Sequence, residues 1–138
     1  MYINYSCLEV EMRFRTLSMV FFSIMLLAGC AGSSSSAAKP VESYLQAVVD
    51  QDVTRLETLV CQDWQASALL ELDAFMGVEA DLENVTCTEQ ENDGSKALVS
   101  CSGNIVATYN NEQQRFPLEG RVYKMVKQGG DWLVCGYP

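Results

Sequence analysis

Between Val41 and Val48 the apolar residues Val41, Tyr44, Leu45 and Val48 recur at spacings of three and four, the period that gathers side chains on one face of a helix. The predicted helix starts at Pro40, because proline is tolerated in a first turn, and runs to about Val49. Asp50-Gln51-Asp52 breaks the pattern, and a second, short helix follows with Val53, Leu56 and Val60 as its apolar stripe. Thr54 with Glu57 has capping-box spacing while Asp52 competes as the cap, and the pattern supports both. Asp63 is placed to cap a third helix, on which Ala66, Leu69, Leu70, Ala74 and Phe75 recur at helical spacing, with Gly77 as its stop.

Beyond Gly77 the period drops to two. Val85 and Cys87, then Ala97, Val99, Cys101, Ile105, Ala107 and Tyr109, follow a period of two with β-branched residues dense in between, which predicts paired strands. Asn92-Asp93-Gly94-Ser95 is a turn by composition. A three-residue loop centred on Gly94 brings residues equidistant from it face to face, and Cys87 and Cys101 each lie seven positions away. A cross-strand disulfide between them is therefore expected, leaving Cys61 to pair with Cys135. Asn110-Asn111-Glu112 makes a second turn, and one strand is predicted from about Gln114 to Val126 with Pro117 at an edge or bulge. Lys127-Gln128-Gly129-Gly130-Asp131 forms a last loop before the strand Trp132-Leu133-Val134-Cys135. Helices first, then an antiparallel meander of about four strands, is an α+β arrangement.

The N-terminal part follows a different logic. Arg13 and Arg15 precede an apolar run, Leu17 to Leu27, that falls short of the roughly 20 residues a bilayer-crossing helix needs and suits a secretory signal. It ends in Leu27-Ala28-Gly29-Cys30, which resembles the lipobox of bacterial lipoproteins. The resemblance implies a diacylglyceryl group on the Cys30 sulfur, cleavage before Cys30 and anchoring on the extracytoplasmic face of a membrane of the bacterial envelope. The bilayer would then be the first partner. Two or more acyl chains hold a protein stably, at about 0.8 kcal/mol per buried methylene. An uncleaved hydrophobic anchor is the competing reading. Glu9 and Glu11 put negative charge where an export signal wants positive charge, which places the true start at Met12. The predicted organisation is a signal peptide over residues 1–29, a lipidated Cys30 with a flexible Ser-rich tether over 30–39, and one domain over 40–138.

Composition narrows the function classes. Glu9, Glu11, Arg13 and Arg15 cancel, so the net charge of −9 falls on the part from Cys30 onward; such a surface repels nucleic acid and anionic head groups. The chain contains no histidine, which removes the commonest general base and the commonest metal ligand. Cys61, Cys87, Cys101 and Cys135 are an even set in an exported chain, and four cysteines allow three pairings. No two of them form a Cys-x-x-Cys pair, so a zinc site is the weaker reading. No metal or cofactor is expected.

The helix Val41-Glu42-Ser43-Tyr44-Leu45-Gln46-Ala47-Val48, the polar break, the second helix and the terminal Gly-Gly-Asp-Trp-Leu-Val-Cys resemble the nuclear-transport-factor-2-like superfamily, in particular its small bacterial lipoproteins, over residues 40–138. The resemblance implies a curved sheet around the helices, a cone with a cavity at its mouth. Members include isomerases, dehydratases, polyketide cyclases, immunity proteins and ligand-binding or structural domains. The Asp-His pairs of the hydratases cannot exist here, and no isomerase Tyr-Asp arrangement can be assigned, so no catalytic residue is named. Tyr44, Trp64, Phe75, Tyr109, Tyr123 and Trp132 are candidates to line an apolar cavity, although aromatics in such patterns more often serve as core and rim. Asp73 could be a sheltered base, yet a solvated helix face is the better reading. Glu79, Asp81 and Glu83 lack the loop spacing of a calcium site. The expected function is a non-catalytic domain binding a small apolar ligand or an envelope protein. The alternatives are isomerase or cyclase chemistry by a pocket carboxylate with tyrosine donors, and a structural module that dimerises through its sheet.

Overall fold

The computed structural model describes residues 35–137. The export segment, Met12 and Cys30 lie outside the described residues. Helix α1 spans Ala38–Val49, α2 Val53–Leu59 and α3 Gln65–Asp73, the last preceded by a 3₁₀ turn at Gln62–Trp64. The strands are β1 Glu79–Asn92, β2 Lys96–Tyr109, β3 Glu112–Pro117, β4 Val122–Gln128 and β5 Asp131–Val134. The helices pack on one face of a curled antiparallel sheet ordered β1-β2-β4-β5, with β3 also paired to β2.

The first helix follows its pattern: Val41, Tyr44, Leu45 and Val48 are all fully buried. It begins two residues earlier than predicted. Ala37 is buried with its N–H donating to Glu89 Oε2 at 2.8 Å, so the last residues assigned to the tether already belong to the fold. Of the two competing caps for α2, Asp52 holds the position, its side chain accepting from Arg55 N at 3.0 Å. Asp63 caps nothing: it sits inside the 3₁₀ turn, and α3 starts without a side-chain cap. The phase of α3 also differs from the prediction. Ala68 and Leu72 face the core, whereas Ala66 is exposed and Leu70 is 70% exposed. The helix carries apolar residues on several sides, so periodicity alone cannot choose its inner face.

In the β1–β2 hairpin Cys87 lies opposite Cys101 and the two are disulfide-bonded, with Cα atoms 4.1 Å apart. The loop is wider than predicted. Asn92 faces Ala97 beside the turn, and a bulge between Glu89 and Glu91 restores the register that brings the cysteines together. A second bulge sets Asn84 and Val85 against Gly103. At Gly103, φ is +100° and an added Cβ would lie 2.6 Å from the Asn84 carbonyl oxygen, so only glycine lets the strands close at this bend.

The single strand predicted from Gln114 to Val126 is two strands. β4 pairs with the first part of β2, Lys96 to Ser100, and β3 with the last part, Asn104 to Tyr109. Pro117 lacks an N–H and ends β3; Leu118 N then donates to Gly103 O at 2.9 Å, and Arg121 N to Leu118 O at 3.1 Å. This tight turn sits against the bend of β2 and leads through Arg121 into β4 at Val122. A parallel bridge from Val60 to Val134 ties the exit of α2 to β5, and next to it Cys61 and Cys135 form the second disulfide.

Candidate functional site

Trp64, Ser67, Glu71 and Phe75 follow one another at spacings of three and four along α3 and its flanking turns, so they share one side of the helix. Leu70 and Ala74 carry that wall outward, and Ile105, Tyr109 and Phe116 from β2 and β3 form the wall opposite. Arg121 and Tyr137 complete the lining of a cavity of about 480 Å³, a volume within the roughly 300–1,000 Å³ typical of small-molecule sites. Aromatic edges brace the walls: Phe75 meets Phe116 at 6.0 Å and 87°, and Trp64 meets Tyr137 at 5.5 Å and 66°.

The polar floor is organised around Glu71. Tyr44 Oη donates to Oε2 of Glu71, while Oε1 accepts from Arg121 Nη1 at 3.0 Å and from Tyr137 Oη at 3.3 Å. The carboxylate side chain is 12% exposed and the guanidinium side chain 30%. Arg121 also lies with Cζ 5.3 Å from the centre of the Tyr137 ring, close enough for a cation–π contact. Trp64 Nε1 and Tyr123 Oη are buried without a hydrogen-bond partner among the described residues.

No family model matches the chain, and no curated protein matches it. Among solved structures it is similar to an NTF2-like protein with a cystatin-like fold from Novosphingobium aromaticivorans, with a TM-score of 0.51 and 14% identity over 96% of this chain and 87% of that one. It is also similar to a SEC-C motif containing protein from Rhodopseudomonas palustris, with a TM-score of 0.50 and 11% identity over 74% of this chain and 78% of that one. The domain has the NTF2-like, cystatin-like fold.

Within the NTF2-like cone the six aromatics singled out from the sequence divide three ways. Trp64, Phe75 and Tyr109 line the cavity. Tyr44 and Tyr123 are fully buried behind its floor, Tyr44 touching the site through Glu71. Trp132 lies elsewhere: it faces Lys127 across the β4–β5 hairpin, the Lys127 Nζ 5.5 Å from its ring centre. Tyr137 is five residues further along the chain, three past the end of β5, and at a rise of about 3.3 Å per extended residue the two aromatics lie well apart. Asp73, Glu79 and Asp81 are exposed, and Glu83 pairs with Arg115 at 3.0 Å.

Glu71, Arg121 and Tyr137 were not legible as site residues. Glu71 left one signal, since it stands seven positions after Trp64 and four before Phe75 on the same helical side. Arg121 left none; it reaches the cavity because β3 and β4 are separate strands.

The tyrosines of the NTF2-like floor hold their protons tightly. Burial, then the Glu71 charge, raises Tyr44 far above the usual phenol range and pushes Tyr123 up to about 12. The same two causes, in the same order, raise Tyr137. Folded-state values above the unfolded ones contribute stability that is complete below the ordinary phenol value near 10 and is lost as pH rises through 12. The expected result is an alkaline unfolding transition beginning near pH 10. Phenolate absorbance at 295 nm from these tyrosines should rise with the loss of near-ultraviolet dichroism, not ahead of it; smooth titration of all tyrosines in a folded protein would contradict the buried floor.

Proposed function

We propose that the protein is an exported, lipid-anchored binding protein whose NTF2-like domain takes a small, largely apolar ligand into the aromatic cavity. The observation that carries the reading is the cavity itself, with aromatic and aliphatic walls over a floor whose charges are already paired. Its volume of about 480 Å³ suits a ligand of a few fused rings or a branched chain. The lipobox ending at Cys30 and the two disulfides support export to an oxidising compartment.

The geometry that isomerase or cyclase chemistry would need, a sheltered carboxylate against tyrosine hydroxyls, occurs at Glu71 with Tyr44 and Tyr137. Both carboxylate oxygens, however, already accept hydrogen bonds, one of them from the Arg121 cation. To take a substrate proton, Glu71 would have to release a donor. This commitment favours binding over general-base catalysis. A sheet-mediated homodimer would form on polar surface, because the large exposed hydrophobics among the described residues, Val53, Leu70 and Met76, all lie off the strands.

Two measurements test the reading. Native mass spectrometry of the exported chain, extracted in mild detergent, is expected to show a retained small molecule that is absent from Ala74→Trp, which fills the mouth; the same spectrum reports the oligomeric state. An empty spectrum together with apolar-probe binding unchanged by Ala74→Trp would remove the cavity from the account. For the anchor, radiolabelled palmitate is expected to enter the wild-type chain in cells and not Cys30→Ser, and the four domain thiols to resist alkylation until a reductant is added.

A further inference from the structure

The cation is the more exposed half of the floor's ion pair, Arg121 at 30% against Glu71 at 12%. Glu71 lies behind it, held by Tyr44 and Tyr137. A guanidinium carries its N–H donors on more than one edge. Arg121 directs Nη1 at Glu71 and lies against Tyr137. The fork also lies near the Tyr123 oxygen, and its side chain stays 30% exposed where Arg121 lines the cavity. Ser67, one helical turn before Glu71, adds a hydroxyl to the same lining. Burial works against the Arg121 charge, but the oxygens of Tyr123, Glu71 and Tyr137 outweigh it and raise its pKa, so it stays a cation.

Resting on the reading of the cavity as a ligand site, we propose that its ligand class is an apolar carboxylic acid. The carboxylate sits on the open edge of the Arg121 fork and the hydrocarbon or ring body lies among Trp64, Phe75, Tyr109 and Phe116. A planar carboxylate matches a guanidinium edge with two parallel hydrogen bonds. Glu71 then acts as a positioning residue: it aims the fork and offsets its charge without meeting the ligand. A cationic ligand would need the carboxylate outermost, which is the reverse of the observed order. On a chain with a net charge of −9, an anion is drawn to this place by the local fork and not by the general field.

The test compares three fluorescent probes with one apolar body, 1-pyrenebutyrate, 1-pyrenebutanol and 1-pyrenebutylamine, titrated into the exported chain with energy transfer from tryptophan as the readout. Pyrenebutyrate is expected to bind about tenfold or more tightly than the alcohol, the gain of a charge-assisted pair. In Arg121→Gln that ratio should collapse towards one. In Arg121→Lys it should fall to an intermediate value, because the charge remains and the fork is lost. Glu71→Gln should move the other way and tighten pyrenebutyrate, since the cation is no longer offset. Near-ultraviolet dichroism checks that each variant is folded; if Arg121→Gln is not, Arg121→Lys and Glu71→Gln still give effects of opposite sign. Equal affinity for acid and alcohol would overturn the carboxylate assignment and leave the apolar site standing. Preference for the amine, lost in Glu71→Gln, would overturn it in favour of a cation. Failure of all three probes to bind would overturn the ligand site and this inference with it.

Discussion

Replacing Cys61 and Cys135 together by alanine is expected to cost about 4 kcal/mol of stability and to abolish ligand-probe binding under conditions where the chain is still folded. The first figure follows from a sequence separation of 74, because a cross-link that closes a long loop removes much of the unfolded chain's freedom. The second follows from position. Trp64 comes three residues after Cys61 and Tyr137 two after Cys135, and these two aromatics meet edge to face in the cavity lining. Between them Gly136 has φ +124°, and a Cβ there would lie 3.3 Å from the Trp64 ring. The short terminal segment is otherwise held by hydrogen bonds such as Cys135 N to Lys124 O and Lys124 N to Gly136 O, both 2.7 Å. The Cys87–Cys101 pair is the control, with a separation of 14 and an expected cost of about 3 kcal/mol. It does not line the cavity, so its removal should lower stability and spare binding. Denaturant titrations and probe binding on both double variants decide the matter. Equal loss of binding in the two would show that the terminal staple has no special hold on the site.

Glu71→Leu is expected to destabilise by about 3 kcal/mol, because it strands the Arg121 cation and the Tyr44 and Tyr137 hydroxyls in a largely dry floor. Removing one member of a sheltered pair costs more than the pair was worth, since the partner keeps its desolvation penalty. Glu71→Leu combined with Arg121→Leu should therefore recover part of the loss, and the cycle of single and double variants isolates the coupling. Arg121 remains partly in contact with solvent, which moderates the loss relative to a fully buried ion. Chemical denaturation reads all three variants. A double variant whose loss equals the sum of the singles would mean that Glu71 and Arg121 act independently, contrary to the 3.0 Å ion pair.

These residues also mark where sequence reasoning stopped. The inner face of α1 was legible because its apolar residues recur with one period and no competing stripe. The partners Cys87 and Cys101 were legible because a turn fixes register locally, although the true path runs through a wider loop corrected by a bulge. The inner face of α3 was not, since Leu69, Leu70 and Leu72 offer more than one apolar side to whatever packs against them. Trp132 shows the same limit in reverse: its aromatic ring is as apolar as Trp64, yet its place on β5 sends it away from the cavity.

Taken alone, the amino-acid order determined the α+β class, the helix-then-strand succession, the facing cysteines of the hairpin and the absence of histidine chemistry. Each depends on spacing within some fifteen residues, or on composition. Tertiary structure alone decided that β3 and β4 are separate, that α3 turns Glu71 inward and that Arg121 meets it from 50 residues away. Local period cannot carry such information. A carboxylate on a helix is stable in solvent or beside a cation, and only the folded chain supplies the cation.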